Sequence, residues 1–194
     1  MTFIKILAVI KIAVAIWLMG IQALQSNNFV YVSGRVAMNG AAAAESLSDT
    51  NTPDPKKLFT KADADKIMGQ STHLTDSSSK VEMLISSYLC GYKADVKDSK
   101  TGKTGAIYFL FEQYRQIPDA KKNYAGIMKA NKPHGIEDLS DLGDEAYYHT
   151  DGTNFYFIMV RKGKNVFNIK VNKITSATSL NEFKKTANRI AASL

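Results

Sequence analysis

The chain contains a single cysteine, Cys90, among its 194 residues. A disulfide framework within the chain and a zinc or iron–sulfur site built from cysteines are therefore excluded. Proline and glycine are sparse, at 4 and 12 residues, which excludes collagen-like and proline-rich architectures. The hydrophobic content of 45% argues against wholesale disorder, so the length suits one domain of ordinary size, with or without a leader.

Acidic residues are absent from the start of the chain, and the first one is Glu45. In this segment Lys5 and Lys11 precede an apolar block, Ile12–Leu24, which is the pattern of a secretory signal. At about 1.5 Å per helical residue the block spans roughly 20 Å, less than the ~30 Å of a bilayer core. Extension of the block back to Phe3 would let it span, with Lys11 inside the bilayer. The sequence therefore predicts an apolar leader helix that is either a cleaved signal peptide or a transmembrane anchor.

Both interpretations of the leader place the protein outside the cytoplasm, as a periplasmic, secreted or membrane-anchored protein. The good small-x-small cleavage site is Ala42–Ala44, and no cysteine directly follows the apolar block, which excludes a lipoprotein. The next stretch is rich in Ser, Thr, Asp, Asn and Pro, the composition of a flexible linker. We expect residues 1–24 to form the leader, residues 25–57 the linker and residues 58–194 the folded domain.

Capping signals mark the helices of this domain. Thr60 and Asp63 have the spacing of a capping box, before a helix that Gly69 can end. Pro118 suits the first turn of a second helix. A third helix begins with the capping box Ser179–Glu182 and runs to the C-terminus. Its apolar residues recur at helical spacing, and they are Leu180, Phe183, Ala187, Ile190, Ala191 and Leu194.

Segments rich in β-branched and aromatic residues predict strands, and they are Met83–Tyr92, Ala106–Tyr114, Glu145–Thr150, Asn154–Lys162 and Asn165–Lys173. With the helices they give the order α-β-β-α-β-β-β-α. Because the strands are joined mainly by short loops, this order implies an α+β domain. Its core is one antiparallel sheet of about five strands packed by helices, and not a parallel doubly wound sheet.

Several short motifs follow one another in a characteristic order: Asp54–Asp63 up to Gly69, Cys90–Tyr92, Leu142–Tyr148, Lys162–Lys164 and the terminal helix Ala187–Leu194. In this order they resemble a bacterial domain-of-unknown-function family of small exported proteins and lipoproteins. The similarity covers roughly residues 53–194. The resemblance implies an extracytoplasmic α+β module with no established reaction to carry over.

One departure from that family concerns Cys90. Family members often have a cysteine after the Asp-Pro pair, where it can pair with the cysteine of the Cys-x-Tyr motif. Lys56 occupies that position in this chain. The resemblance therefore implies that Cys90 is an unpaired thiol on a strand.

Residues that could carry catalysis or hold a metal are few. A thiol enzyme needs a histidine base beside Cys90, and His73, His134 and His149 have no recognisable hydrolase context. No two histidines have the i, i+4 spacing of a helical metal site, and the acidic loop of residues 137–145 lacks the order of a calcium loop. We predict no catalytic residue, no metal and no cofactor. A small hydrolase-like enzyme using Cys90 or the acidic loop is the alternative.

The net charge of +7 is unevenly distributed, because residues 118–160 carry −3 and residues 161–194 carry +7. A basic surface of this kind could contact anionic lipid, an acidic envelope polymer or another envelope protein. Nucleic acid is not predicted, since an exported protein rarely meets it. The candidate surface consists of basic residues of the last hairpin and helix, namely Arg161, Lys162, Lys164, Lys170, Lys184, Lys185 and Arg189. The alternative is ordinary solvated side chains that cover the core.

The strand Asn154–Lys162 is apolar on both faces. On one face lie Phe155, Phe157 and Met159, which predict either a covering helix or an apolar groove rimmed by Lys170. Taken together, the patterns favour a non-catalytic extracytoplasmic domain that binds an envelope component or a partner protein through its basic C-terminal surface. A structural envelope protein without a ligand is a further alternative, and the oligomeric state is left open.

Overall fold

A computed structural model describes residues 53–194. The predicted leader of residues 1–24 and nearly all of the predicted linker lie outside the described residues. The helices are a single turn at Pro55–Leu58, α1 at Lys61–Met68, α2 at Ile117–Asn131, a 3₁₀ turn at Lys132–His134, and α3 at Leu180–Ser193. The strands are β1 Thr72–Val81, β2 Ile85–Ala94, β3 Ala106–Tyr114, β4 Ile136–Asp138, β5 Glu145–Thr150, β6 Phe155–Lys162 and β7 Asn165–Asn172.

The seven strands of the described chain form one sheet in the order β1-β2-β3-β7-β6-β5-β4. Every neighbouring pair is antiparallel. The predicted α+β class with a single antiparallel sheet is thus confirmed. The five predicted strands correspond to β2, β3, β5, β6 and β7, within about two residues at each end.

The predicted strand count was wrong, and so was the order of elements, because the two edge strands were missed. β1 runs through a mostly polar stretch, and its side chains beyond Thr72 are exposed, so it shows no apolar alternation. β4 has only three residues, too few for a pattern. The observed order in residues 53–194 is α-β-β-β-α-β-β-β-β-α once the short helical turns are set aside.

The inner face of the sheet is the face packed by α1 and α3. Its buried residues include Cys90, Phe109 and Phe167, and the Phe109 ring stacks on Phe59 with centroids 5.3 Å apart. The apolar stripe predicted for the C-terminal helix lies here, with Phe183 fully buried. This face holds the larger of the two apolar clusters and supplies most of the hydrophobic stabilisation.

Local caps fix the two helices that cover the inner face. The hydroxyl of Thr60 accepts the Asp63 N–H, the Asp63 carboxylate accepts the Thr60 N–H, and Gly69 ends α1 with a φ of 66°. The Ser179 hydroxyl accepts the Glu182 N–H at the start of α3. The predicted capping positions are therefore confirmed at both helices.

The outer face of the sheet is packed by α2 over part of its area. Tyr124 of α2 lies against Tyr147, with ring centroids 5.9 Å apart, and both belong to a second buried cluster with Met159. Farther along the same face, Tyr108 and Lys170 are only half-buried. The helix therefore leaves part of the outer face open.

The turns that join β1 to β2 and β6 to β7 lie at the same end of the sheet, which we name the turn end. Tyr114, at the end of β3, donates its N–H to the carbonyl of Lys164 in the β6–β7 turn, 2.9 Å away. Arg115 donates its N–H to the carbonyl of Leu84 in the β1–β2 turn, also 2.9 Å away. Among residues 53–194 there is no helix with the length and hydropathy needed to span a membrane.

Candidate functional site

Arg161 is the most buried of the seven predicted cations, with 3% of its surface exposed. Its guanidinium pairs with Glu145, donates to Asp144 Oδ2 at 2.7 Å and donates to the Gly163 carbonyl at 3.0 Å. The Gly163 N–H, together with Arg161, holds the pKa of Asp144 below its ordinary value. Arg161 therefore joins the loop before β5 to the β6–β7 turn and acts within the fold.

Lys162 and Arg189 also contact groups of the domain itself. Lys162 Nζ donates to the carbonyl of Ala191 near the end of α3, at 2.9 Å. Arg189 pairs with Asp63 of α1 at 3.0 Å and donates to the carbonyl of Leu58 at 3.0 Å. These contacts tie α3 to the sheet and to α1.

Lys184 and Lys185 lie on the first turns of α3. The Lys184 amine stands over the Tyr148 ring, 4.8 Å from its centroid, in a cation–π contact. Lys185 pairs with Glu182 at 3.0 Å on the exposed side of the helix. Both lysines therefore lie on the inner-face side of the molecule.

The seven cations do not form one surface. Arg161 lies directly opposite Glu145 of β5, and Lys170 lies directly opposite Phe157 of β6. Directly opposed residues share a face of the sheet, and so do residues two apart on one strand, so both cations project from the outer face. The cations of α3 lie beyond the inner face, and Lys164 lies in the turn between β6 and β7. The net charge of residues 161–194 is thus spread over both sides of the sheet.

The three residues of the predicted apolar groove share the outer face but differ in their cover. Met159 is 1% exposed and belongs to the cluster under α2. Phe155 is buried and its ring lies 4.9 Å from that of His149. Phe157 is half-buried, with its ring 5.7 Å from that of Tyr147. The helix alternative therefore applies to Met159, whereas Phe157 keeps an accessible ring edge.

Phe157 borders a half-exposed area of the outer face, which we name the open strip. In register, Lys170 of β7 lies directly between Phe157 of β6 and Tyr108 of β3. The strip consists of half-buried outer-face residues of four neighbouring strands: Leu89, Tyr108, Leu110, Phe157, Asn168 and Lys170. It thus presents a cation, two aromatic rings, an amide and two leucines on one surface.

A glycine determines how Tyr108 lies in the strip. Gly91 of β2 is directly opposite Tyr108, and a Cβ built on Gly91 would come within 3.0 Å of the Tyr108 ring and 3.2 Å of the Thr75 hydroxyl. The absence of a side chain at Gly91 gives the ring space over β2. The glycine of the Cys90–Tyr92 motif therefore positions an aromatic ring of the strip.

Burial disfavours the charged form of two side chains on the outer face, Lys170 and Glu112. Burial lowers the pKa of the Lys170 amine and raises the pKa of the Glu112 carboxyl. Glu112 lies on β3 four residues from Tyr108, or about 13 Å along the strand, and it accepts hydrogen bonds from the Tyr114 hydroxyl at 3.0 Å and from Asn123 Nδ2 at 3.2 Å. Charges held at such a cost are concentrated in functional sites. Lys170 therefore marks the open strip as the candidate site, whereas Glu112 lies beyond the strip and is bonded by Asn123 of α2.

One end of the strip carries a polar atom with unused hydrogen-bonding capacity. Asn172 follows Lys170 on the outer face of β7, opposite Ala106 and Phe155. Its amide oxygen is buried and accepts no hydrogen bond from a described residue. Buried polar atoms in native proteins nearly always have a partner, so this oxygen is an exception among the described residues, although its burial keeps it from the surface.

The candidates for thiol chemistry lie on opposite sides of the sheet. Cys90 is fully buried in the inner-face cluster, and burial raises the pKa of its thiol to about 11. His149 lies against the outer-face ring of Phe155 and donates from Nδ1 to the Gly135 carbonyl, 2.5 Å away. His73 pairs with Asp95 at 2.6 Å and lies opposite Lys93, which also projects outward. The sheet therefore separates Cys90 from both histidines.

The acidic loop likewise has its partners within the fold. Asp144 and Glu145 meet Arg161, as described above. In residues 53–194 there is no group of three His, Cys, Asp or Glu side chains placed to share a metal ion.

Lys170 and Phe157 are among the residues predicted from the sequence, whereas Tyr108, Glu112 and Gly91 are not. A signal for two of them is visible in the chain, because Tyr108 and Glu112 alternate with the strongly apolar residues of β3. A carboxylate inside such a strand must lie on its second face, and its burial depends on helix α2. The role of Gly91 depends on strand register, which the sequence pattern leaves open.

No family model, curated protein or solved structure matches this chain. The resemblance to a family of small exported proteins therefore stays a prediction.

Proposed function

We propose that this chain is a non-catalytic, extracytoplasmic binding domain that holds an acidic polysaccharide of the cell envelope on the open strip. The observation that carries the proposal is the position of Lys170, half-buried between Tyr108 and Phe157. A lysine needed only for solubility would keep its amine in water, where the charged form costs nothing. A ligand anion within reach of this partly desolvated amine would form a charge-assisted hydrogen bond with it.

The chemistry of the strip suits a sugar acid. The Lys170 amine matches a carboxylate or sulfate group, and the rings of Tyr108 and Phe157 match the apolar face of a pyranose. The Asn168 amide matches sugar hydroxyls, which donate and accept hydrogen bonds. This combination of one cation, two rings and an amide favours a saccharide over a flat lipid surface or a nucleic acid.

The extent of the strip favours a polymer. The strip crosses four neighbouring strands, from Leu89 of β2 to Phe157 of β6, which is about 14 Å at ~4.8 Å between strands, so the surface is longer than one sugar ring. A chain with acidic and neutral positions therefore fits the strip better than a single small anion.

The proposed location is the periplasm or the exterior of the cell, either in soluble form or anchored through residues 1–24. Its support is the acid-free N-terminal segment with Lys5 and Lys11 before the apolar block Ile12–Leu24. In that location an acidic polymer of the envelope is an abundant partner.

The test is isothermal titration of the full chain with polygalacturonate, with neutral dextran as the negative control. We expect binding of polygalacturonate that weakens about tenfold in Lys170→Gln and in Tyr108→Ala, because each substitution removes a direct contact. Gly91→Ala is expected to weaken binding as well, since it displaces the Tyr108 ring.

The matched control is Lys185→Gln, which removes the same charge from the exposed side of α3. An equal loss of affinity in Lys170→Gln and Lys185→Gln would show general electrostatic attraction and would refute the assignment of the strip. Absence of polygalacturonate binding to the wild-type chain would refute the proposed ligand class.

A further inference from the structure

A second feature of the molecule lies apart from the open strip, at the turn end of the sheet. Six large apolar side chains are exposed among residues 53–194, and four of them cluster there. We name these four the apolar tip, and they are Val81 with 73% of its surface exposed, Met83 with 87%, Leu84 with 49% and Ile117 with 49%. Exposed apolar groups gathered in one place mark an interaction site more often than scattered ones do.

The backbone holds the apolar tip in a defined shape. The Glu82 N–H donates to the Ile85 carbonyl at 2.8 Å, which closes the β1–β2 turn. The Arg115 N–H donates to the Leu84 carbonyl at 2.9 Å, which fixes the turn beside the start of α2. Ile117 therefore stands next to the turn, and the exposed side chains are carried by ordered backbone.

Basic residues surround the apolar tip. Lys80 and Arg115 are exposed beside the turn, and Lys121 and Lys122 are exposed in the first turns of α2. Lys122 also lines a shallow depression together with Ile85, which places this residue at the turn end. The acidic residues nearby are Glu82, which pairs with Lys80, and Asp119. Four cations against two carboxylates leave a local charge of +2.

We infer that the turn end docks on an anionic lipid bilayer, with Met83 and its neighbours inserted among the headgroups. Met83, with 87% of its surface exposed, stands clear of its neighbours, so a protein partner would need a pocket shaped to receive it. The interfacial layer of a bilayer admits such a projection, and anionic headgroups then meet the surrounding cations. Apolar insertion ringed by basic residues is the arrangement that binds peripheral proteins to acidic membranes. The inference goes beyond the proposed saccharide site, since it uses none of its residues.

The experiment places a polarity-sensitive nitrobenzoxadiazole label at position 83 of the full chain through Met83→Cys. Cys90 is fully buried, so the introduced thiol is the one that reacts in the folded protein. The labelled chain is mixed with vesicles of phosphatidylcholine and phosphatidylglycerol, and with vesicles of phosphatidylcholine alone. We expect a blue shift and an increase in emission with the anionic vesicles and a much smaller change with the neutral ones.

The matched control carries the label at Val96→Cys. Val96 is 65% exposed, and its N–H donates to Gln70 at the opposite end of β2, so it should stay in water. Membrane insertion of residues 1–24 would tether both labelled chains equally, and therefore it could not by itself produce a difference between the two labels.

The charge contribution is tested by Arg115→Gln and Lys122→Gln in the chain labelled at position 83. Each substitution should raise the vesicle concentration for half-maximal shift by roughly fivefold, the contribution of one cation near an anionic surface. An unshifted label at position 83, equal shifts at positions 83 and 96, or indifference to both charge substitutions would overturn the inference. None of these outcomes bears on polygalacturonate binding, so the two proposals fail independently.

Discussion

Gly143 lies against the backbone of Arg161: a Cβ built on Gly143 would stand 2.7 Å from the Arg161 carbonyl oxygen. The next residue, Asp144, donates its N–H to that same oxygen at 2.8 Å. The carboxylate of Asp144 then reaches the Gly163 N–H and the Arg161 guanidinium. The Leu-Gly-Asp motif is therefore explained by a loop that must approach β6 closely before β5 begins.

Replacement of Gly143 by alanine should destabilise the domain by about 2–4 kcal/mol. The φ of Gly143 is 66°, where an L-residue costs about 1–2 kcal/mol, and the close approach to Arg161 and Val160 adds steric strain. The measurement is urea denaturation followed by circular dichroism. Gly152→Ala is the control, since its φ is 76° but no atom lies within 4 Å, and it should lose only about 1 kcal/mol. Equal losses in both variants would contradict the close-contact explanation.

Arg161→Met should cost about 1–2 kcal/mol of stability, because it removes charge-assisted hydrogen bonds from Asp144 and Glu145, whose carboxylates stay partly solvated. Lys185→Met removes an exposed i, i+3 pair and should change stability by less than ~0.5 kcal/mol. Thermal unfolding of the two variants checks the difference. If Arg161→Met unfolds at the wild-type temperature, Arg161 is not a structural residue and its place among the candidate binding cations is restored.

The parts of the fold that the sequence predicted are those set by local chemistry. The Thr60 and Ser179 caps act within one helical turn, and the apolar strands are predicted by the alternation and content of their apolar residues. β1 could not be predicted in this way, because an exposed edge strand is specified by pairing with β2 and not by burial.

The candidate site was likewise predictable only where local sequence pattern determines it. Alternation of apolar and polar residues along β7 predicts that Lys170 and Ile169 lie on opposite faces of the sheet, as they do. The partners of the other cations were not visible, because contacts such as Arg189 with Asp63 join segments far apart in the chain. The high net charge of residues 161–194 therefore predicts a basic surface, although at least five of its eight cations contact other groups of the domain.

Glu112→Gln should stabilise the domain near neutral pH, and the gain should vanish in acid. Burial raises the folded-state pKa of Glu112, so ionisation of this carboxyl penalises the folded state above that pKa. Below the ordinary carboxyl pKa of about 4.3 the group is protonated in both states, and the penalty is absent. Glutamine keeps an acceptor for Tyr114 and Asn123 but carries no charge.

The measurement for Glu112 is the midpoint of urea unfolding for wild type and variant across the acidic and neutral range. Asp144→Asn should show the opposite trend, because the pKa of Asp144 is lowered in the folded state. Its loss of stability should be full above the ordinary aspartate pKa of about 3.9 and should shrink as the pH falls from there through the lower folded-state pKa. Parallel pH profiles for the two variants would refute the assigned directions.

Cys90 should react slowly with Ellman's reagent in the folded protein and rapidly in concentrated urea. Its side chain is fully buried between Tyr88 and Tyr92 on the inner face, and its pKa of about 11 leaves little thiolate at mildly alkaline pH. Unfolding restores both exposure and the ordinary thiol pKa of about 8.5. The Met83→Cys chain supplies the comparison, since its added thiol on the apolar tip should react at once while Cys90 remains protected. Fast reaction of Cys90 in the native wild-type chain would mean that the thiol is accessible and activated, and would return the cysteine-dependent hydrolase to consideration.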